Sequence, residues 1–372
     1  MSIFQAKTPQ GPLAHYKILS KTAGVRVSPL CLGAMNFGES WSSWLGECSK
    51  DEAFKIMDTF YEAGGNFIDT ANNYQGGESE QWVGEWMKAR GNRDEIVIAT
   101  KFTSLYPKSI PKIAVNSTGN ASKSLHLSVR DSLAKLQTDY IDILYVHWWD
   151  YTTNIHELMQ ALNHLVTSGK VLYLGVSDTP AWVVSAANTY ARENGLAPFV
   201  IYQGKWNLAE REFERDILPM AKAFGMALAP WSVMMAGASK TETQTDAGKG
   251  RTPFRPDTEM RKKIRDQVLA AVDKVAKELG ATRQQICIAY VIKKETQTFP
   301  ILGGRKATHL ADNIKALELV SKLTDAQVGA MEAASEFDIG FPHDFVGSGK
   351  LEDNFLLKLA GMVVQPDTIP QV

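Results

Sequence analysis

The chain has 372 residues, 44% of them hydrophobic and 22% charged, with a formal net charge of −1. That is the composition of a globular protein with ample core. The balanced charge offers no basic field for nucleic acid, and no apolar run is long enough to span a bilayer.

In chain order, residues 1–14 read as a loose arm. The first twenty residues hold Lys7, His15 and Lys17 but no apolar stretch, so no signal peptide is expected. Tyr16–Lys21 and Val25–Ser28 flank Thr22-Ala23-Gly24, a turn signal that predicts a small hairpin. Cys31, Cys48 and Cys287 are scattered and odd in number. They suggest neither a disulfide framework nor zinc-ligand spacing and fit a reducing, cytoplasmic setting.

A unit then recurs: a short apolar strand, a loop, and an amphipathic helix. Strand Leu30–Leu32 leads to helix Lys50–Ala63, and Phe67–Ile68 to helix Glu78–Ala89. Ile96–Thr100 leads to Ser122–Leu136, and Ile141–Val146 to Asn154–Ser168. Val171–Val176 leads to Pro180–Asn194, and Val200–Tyr202 to Glu210–Phe224. Met226–Ala229 is followed by a polar insertion and helix Arg265–Leu279, with one more helix over Gln284–Lys294. Thr298–Leu302 leads to helix Ala307–Leu319. Such alternation implies parallel strands joined by crossover helices, and eight in a row predict a closed (β/α)8 TIM barrel. Gly64, Gly91, Gly169, Gly195 and Gly225 follow five of the helical patterns, where a left-handed cap is wanted. Residues 1–335 are expected to form one domain, with 336–372 as a tail or substrate loop. Leu105–Gly119 and Ser239–Pro256 are the other long excursions, and such segments are usually functional loops or disorder.

In this barrel class the site lies at the C-terminal strand ends. Residues just past each strand therefore converge: Asp69, Tyr74, Lys101 and His147 from the first half, then Ser177, Asp178, Gln203, Trp231, Gly303 and Arg305. A phenol titrates near 10 when unperturbed, and a neighbouring ammonium would lower that value toward neutrality. Asp69 would hold Lys101 in place, and His147 could donate to a substrate oxygen. Together they could protonate a carbonyl oxygen while a hydride reaches its carbon, or run the reverse. Metal catalysis would want several ligands together, and only one His stands at a strand end, so no metal is expected.

From about Leu19 to Leu319 the chain resembles the aldo-keto reductases. The motifs are LCLGAMNFG (Leu30–Gly38), FIDTANNYQGGESE (Phe67–Glu80), ATKF (Ala99–Phe102), YVHWWD (Tyr145–Asp150), YLGVSD (Tyr173–Asp178), APWS (Ala229–Ser232) and FPILGGRKATHLADN (Phe299–Asn313). More narrowly, the chain is similar to the fungal aryl-alcohol dehydrogenase and norsolorinic acid reductase branch. The resemblance implies Tyr74 as general acid, tuned by Asp69 and Lys101, with His147 orienting the carbonyl. It implies Ser177, Asp178 and Gln203 against a nicotinamide carboxamide and Trp231 stacked on the ring. Gly303, Arg305, Lys306, His309 and Asn313 would hold the adenosine phosphates. Gly33 and Met35 in the first motif, and Ser232 beside Trp231, complete the expected cofactor cradle, to which Asp69 also belongs.

Asp178 stands where many relatives carry Asn, and Trp231 where Tyr is common. Either ring presents a flat apolar face. The positive charge of Arg305, Lys306 and His309 suits a 2′-phosphate, so NADPH/NADP is favoured over NADH. No G-x-G-x-x-G occurs, so the barrel itself must bind the nucleotide. The expected reaction is reversible reduction of aldehydes or ketones, aromatic or polyketide-like, in a pocket lined by Trp41, Trp44, Trp148 and Trp149. The alternative is a non-catalytic, redox-sensing NADP(H)-binding subunit of the channel β-subunit type, which could keep the same four polar residues.

Overall fold

The structure, a computed structural model, describes residues 10–106, 111–235, 258–347, 354–359 and 361. The Ser239–Pro256 loop, most of the arm and much of the tail lie outside the described residues.

β1 (Lys17–Ser20) and β2 (Ala23–Val27) form an antiparallel hairpin. Ser20 pairs with Ala23, so the turn is Lys21-Thr22 rather than the predicted Thr22-Ala23-Gly24. Ala23 is buried, and that burial draws it into the strand. The chain continues through β3 (Cys31–Gly33), α1 (Ser42–Leu45), α2 (Lys50–Glu62), β4 (Phe67–Asp69), α3 (Glu78–Arg90), β5 (Val97–Phe102) and α4 (Ser122–Leu136). Next come β6 (Ile141–Val146), α5 (Ile155–Thr167), β7 (Val171–Ser177), α6 (Ala181–Glu193), β8 (Phe199–Lys205), α7 (Ile217–Phe224) and β9 (Ala227–Trp231). It ends with α8 (Glu259–Leu279), α9 (Arg283–Lys294), β10 (Ile301–Gly303), α10 (Ala307–Ile314), α11 (Asp325–Glu332), α12 (His343–Val346) and α13 (Phe355–Lys358).

Eight strands pair in parallel in the order β10-β3-β4-β5-β6-β7-β8-β9. The two ends of the row meet. Leu228 bridges Thr298 in parallel, Leu228 N donates to Gln297 O at 2.9 Å, and Phe299 N donates to Leu228 O at 2.8 Å. This seam closes the (β/α)8 TIM barrel. Regular pairing of the last strand starts only at Ile301 because Pro300 has no N–H, although its carbonyl accepts from Cys31 N at 3.0 Å.

Two apolar clusters follow from this closure. Cys31, Phe67, Ala99, Ile143, Tyr145, Ile201 and Phe299 fill the barrel, and Leu19, Ala23 and Val27 of the hairpin join them. Lys21 N donates to Gly225 O at 3.2 Å, just ahead of β9, so the hairpin plugs the N-terminal end. The C-terminal end is left as the mouth. The larger cluster lies between strands and helices and includes Ile56, Trp86, Leu144, Val184, Val272 and Ile288. At Gly84 a Cβ would lie 2.4 Å from Lys135 O, so only glycine lets α3 settle against α4.

The five predicted cap glycines all have φ between 62° and 89°. Two helix starts differ from expectation. After β8 the predicted Glu210–Phe224 helix begins only at Ile217, preceded by a tight turn over Glu212–Glu214. The Asn207 side chain accepts from Ala209 N and Glu210 N at 2.9 and 3.0 Å. Asn offers the backbone this alternative to a helix. α8 begins six residues before the predicted Arg265, capped by Thr258. Its first buried residue is Val268, so the early turns carry no apolar period to read.

Candidate active site

β4 and β5 are neighbours in register, with Asp69 opposite Ala99. Lys101, two residues further along β5, therefore reaches over the end of β4. Its Nζ donates to Asp69 Oδ2 at 2.6 Å and Thr70 O at 2.8 Å, and lies 3.2 Å from Tyr74 Oη. The other carboxylate oxygen, Asp69 Oδ1, accepts from Gln203 Nε2 at 2.9 Å. Lys101 is fully buried and Asp69 3% exposed, so each depends on the other. Burial lowers the Lys101 pKa, but Asp69 and Tyr74 more than offset it, and the net direction is up. Lys101 remains a cation.

Tyr74 departs from the sequence expectation. Burial of its phenol raises its pKa above the ordinary value, and the nearby Lys101 charge only partly reverses this. The phenol is therefore kept protonated rather than brought toward neutrality. A low-dielectric surrounding penalises the phenolate, and burial of this degree has no signature in the sequence.

His147, just past β6, presents its ring to Tyr74 edge-on, with centroids 5.8 Å apart and planes at 79°. Burial and then the Lys101 charge push its pKa well below the usual histidine value, so the imidazole is neutral. Its Nδ1 lies 3.3 Å from Ser104 Oγ, which also accepts from Trp148 Nε1 at 3.1 Å. Trp41 meets Tyr74 at 6.3 Å and Trp44 at 5.7 Å, edge-on in both cases. The loop that carries these two indoles is tied to the Tyr74 segment. Gln75 donates to Met35 O at 3.1 Å and accepts from Trp41 N at 2.6 Å. Glu78 Oε2 accepts from Glu39 N and Ser40 N at 2.8 and 3.0 Å. Gly38, at φ 147°, lies so close that a Cβ there would meet Gln75 Cβ at 2.4 Å. Trp41 thus borders Tyr74, Trp44 packs behind Trp41, and Trp148 joins His147 through Ser104. Trp149 does none of these: it is buried in the outer shell with Leu158 and Val183.

On the far side, Ser177 ends β7 and Gln203 lies in β8, paired in register. Ser177 Oγ is buried without a hydrogen-bond partner among the described residues, and its approach to Asp178 does not reach hydrogen-bond geometry. Asp178 turns out at φ 41°, and its N–H donates to Gln203 O at 3.1 Å. Surrounding protein raises its carboxyl to about 6, with Trp231 pulling the other way. Water reaches the side chain, so it is an anion at neutral pH. Trp231 Nε1 donates to Asp178 Oδ1 at 3.3 Å, and Lys205 Nζ lies 5.9 Å from the centre of a Trp231 ring. This fixes the partly exposed indole at the end of β9, where Ser232 turns the chain at φ 59°. An orphaned buried hydroxyl beside a held, open aromatic face is a donor set that fits a nicotinamide. Gln203 is less available to a carboxamide than the sequence suggests, since its amide is engaged with Asp69.

The remaining predicted positions gather where β10 meets α10. Gly33 pairs with Gly303 across β3 and β10, and a Cβ on Gly33 would lie 2.8 Å from Ile301 Cγ2. Asn36 Nδ2 reaches Gly304 O at 3.5 Å. Arg305 is partly buried, Lys306 and His309 are exposed, and Asn313 is buried in α10. Glu52 Oε1 accepts from Ala307 N at 3.0 Å and caps the helix. β3 lies between β10 and β4, so this cationic turn is two strands from Asp69. It could hold the phosphates of a nucleotide whose ring lies toward Trp231. Ser104, Gln75, Glu78 and Asn36 were not singled out from the sequence. Gln75 has one signal, its place directly after Tyr74 and before Gly76-Gly77.

Among the described residues no group of three His, Cys, Asp or Glu is gathered to hold a metal, and no helix is long and apolar enough to cross a membrane. The three cysteines are free and buried.

The aldo/keto reductase family model matches residues 29–336. Norsolorinic acid reductase B of Dothistroma septosporum is 56% identical over 342 residues, covering 91% of this chain and 86% of that protein. A putative aryl-alcohol dehydrogenase of Saccharomyces cerevisiae is 51% identical over 364 residues, 95% of each chain. An aryl-alcohol dehydrogenase of Pestalotiopsis microspora is 50% identical over 349 residues, 94% of this chain and 89% of that one. With the barrel and its mouth in view, these matches establish that the chain belongs to the aldo/keto reductase family.

Proposed function

We propose that the protein is an NADPH-dependent oxidoreductase that interconverts aldehydes or ketones with alcohols, with Tyr74 as the proton donor in reduction. The observation that carries this is the Asp69–Lys101–Tyr74 chain, in which a buried cation lies 3.2 Å from a protonated phenol that borders the mouth. Bound NADPH would supply the hydride that adds to the carbonyl carbon. The chain's own residues do the rest. His147, neutral and edge-on to Tyr74, donates to the carbonyl oxygen and orients it. Tyr74 gives its proton to that oxygen as negative charge develops there, and Lys101 stabilises the phenolate left behind. Asp69 holds Lys101 and keeps the buried pair neutral overall. Ser177, Asp178 and Trp231 support the nicotinamide reading, and Arg305, Lys306 and His309 the choice of NADPH. Substrates are aromatic or polyketide-like, by analogy with the relatives' names and because Trp41, backed by Trp44, borders Tyr74.

The test is Tyr74→Phe, which removes one hydroxyl. Loss of NADPH absorbance with 4-nitrobenzaldehyde should slow ~100-fold or more, while NADPH binding by fluorescence stays near wild type. Turnover close to wild type in the purified variant would overturn the assignment. Absence of NADPH consumption by the wild type across a panel of aldehydes and ketones would favour the redox-sensing subunit.

A further inference from the structure

Ser104 lies two residues past β5, in a place the surrounding bonds over-determine. Thr103 before it has φ 88°, a costly conformation for a β-branched residue. It is held by Asn120 Nδ2 donating to Thr103 Oγ1 at 2.9 Å and by His147 N donating to the same oxygen at 3.3 Å. Asn72 Nδ2 donates to Ser104 O at 3.1 Å. The Ser104 hydroxyl is thereby set between the side chains of two consecutive residues, His147 Nδ1 at 3.3 Å and Trp148 Nε1 at 3.1 Å.

Counting protons decides what this hydroxyl does. An indole N–H can only donate, so Trp148 takes one lone pair of Ser104 Oγ. Ser104 has one proton to give, and His147 Nδ1 is the one acceptor within reach among the described residues. If Nδ1 carried the proton instead, Ser104 would accept twice and its own O–H would have no protein partner. An oxygen that is already accepting is also a better donor. A neutral imidazole with Nδ1 accepting carries its proton on Nε2.

We propose that Ser104 is a positioning residue that fixes the His147 tautomer. Trp148 donates to Ser104, Ser104 donates to Nδ1, and Nε2–H is left to face the substrate oxygen. This rests on the reading of His147 as the group that orients the carbonyl. It goes beyond it, because a histidine with the opposite tautomer would turn a lone pair toward that oxygen and repel it. The same relay gives Trp148 a part of its own: its indole N–H biases a proton on the neighbouring side chain.

The experiment is 15N NMR of the full chain labelled at histidine, with the His147 signals assigned by their loss in His147→Gln. The wild type should show a protonated Nε2 and a bare Nδ1 across neutral pH. Ser104→Ala should populate the Nδ1–H form and lower kcat for 4-nitrobenzaldehyde ~10-fold, the scale of one lost hydrogen bond, with KM nearly unchanged. Ser104→Thr keeps the hydroxyl and should restore both readouts. Trp148→Phe should shift the tautomer the same way by less. Any of three results overturns the proposal: a wild-type proton on Nδ1, an unchanged tautomer in Ser104→Ala, or a kcat loss that Ser104→Thr does not recover. Full turnover in His147→Gln would instead overturn the role given to His147, while the tautomer result would stand by itself.

Discussion

Asp69 and Arg305 both stand at the C-terminal end of a barrel strand, yet their surroundings differ in kind. Asp69 is 3% exposed, and its two oxygens are bonded to Lys101 and Gln203, which come from other strands. Arg305 lies partly open in a turn, beside the exposed Lys306 and His309. The acid end of the mouth is thus part of the core, where an unpaired charge is heavily penalised. The cationic end is part of the surface, where side chains can change with little effect on the fold. Change at the first end should therefore break the protein, and change at the second should retune it.

The largest expected effect tests the first half of that contrast. Lys101→Met removes the cation from a fully buried pair and leaves the Asp69 carboxylate with Gln203 alone. Losing one partner of a buried pair costs about 3–5 kcal/mol, which urea unfolding would register as a large drop in midpoint. A Lys101→Met midpoint equal to that of wild type would mean that the acid end is not bound into the core.

The pH dependence sharpens the same point. Tyr74 and Lys101 both have folded pKa values above their ordinary ones. The stability they contribute is complete below about 10 and is lost as pH rises through the folded values. Reduction that needs the Tyr74 proton should therefore hold level through neutrality and fall only above about 10. A falling limb centred near 8 would show that Lys101 outweighs burial after all. His147 runs the other way. Its folded value lies below the ordinary ~6.5, so its contribution is complete above that pH and lost as pH falls. His147→Gln should flatten the acid side of a plot of melting temperature against pH. An acid side as steep as that of wild type would assign the loss to other groups.

The barrel was legible because its signals are local and repeated. Apolar runs end at Asp69, Lys101 and His147, and closure of eight such units brings those ends together whatever separates them in the chain. α4 keeps the predicted bounds Ser122–Leu136 because its buried face is periodic. The start of α7 was not legible, since it turns on one Asn207 side chain competing for backbone N–H groups. The direction of the Tyr74 shift was not legible either, for a similar reason. Opposing effects of burial and charge depend on packing density, which residue order does not encode. Ser104 is harder still: its meaning comes from a contact 43 residues away, and a serine after a strand is otherwise unremarkable.

The smallest expected effect belongs to the cationic end. Arg305→Ala should cost the fold less than ~1 kcal/mol, as surface substitutions usually do, and leave 4-nitrobenzaldehyde turnover at saturating NADPH near wild type. Its consequence should be selective. If Arg305 faces a 2′-phosphate, one charge-assisted hydrogen bond worth roughly 1.5–3 kcal/mol is lost for NADPH and none for NADH. The ratio of the two dissociation constants, read by fluorescence titration of each nucleotide, should therefore move at least ~10-fold toward NADH. The loss should also shrink as ionic strength rises, because exposed charges are screened within about 10 Å at 0.1 M salt. Equal weakening of both nucleotides would give Arg305 a structural part at the start of α10, near the Glu52 cap on Ala307. The cationic turn would then be bound into the fold just as the acid end is, and the contrast between the two would fail from its weaker side.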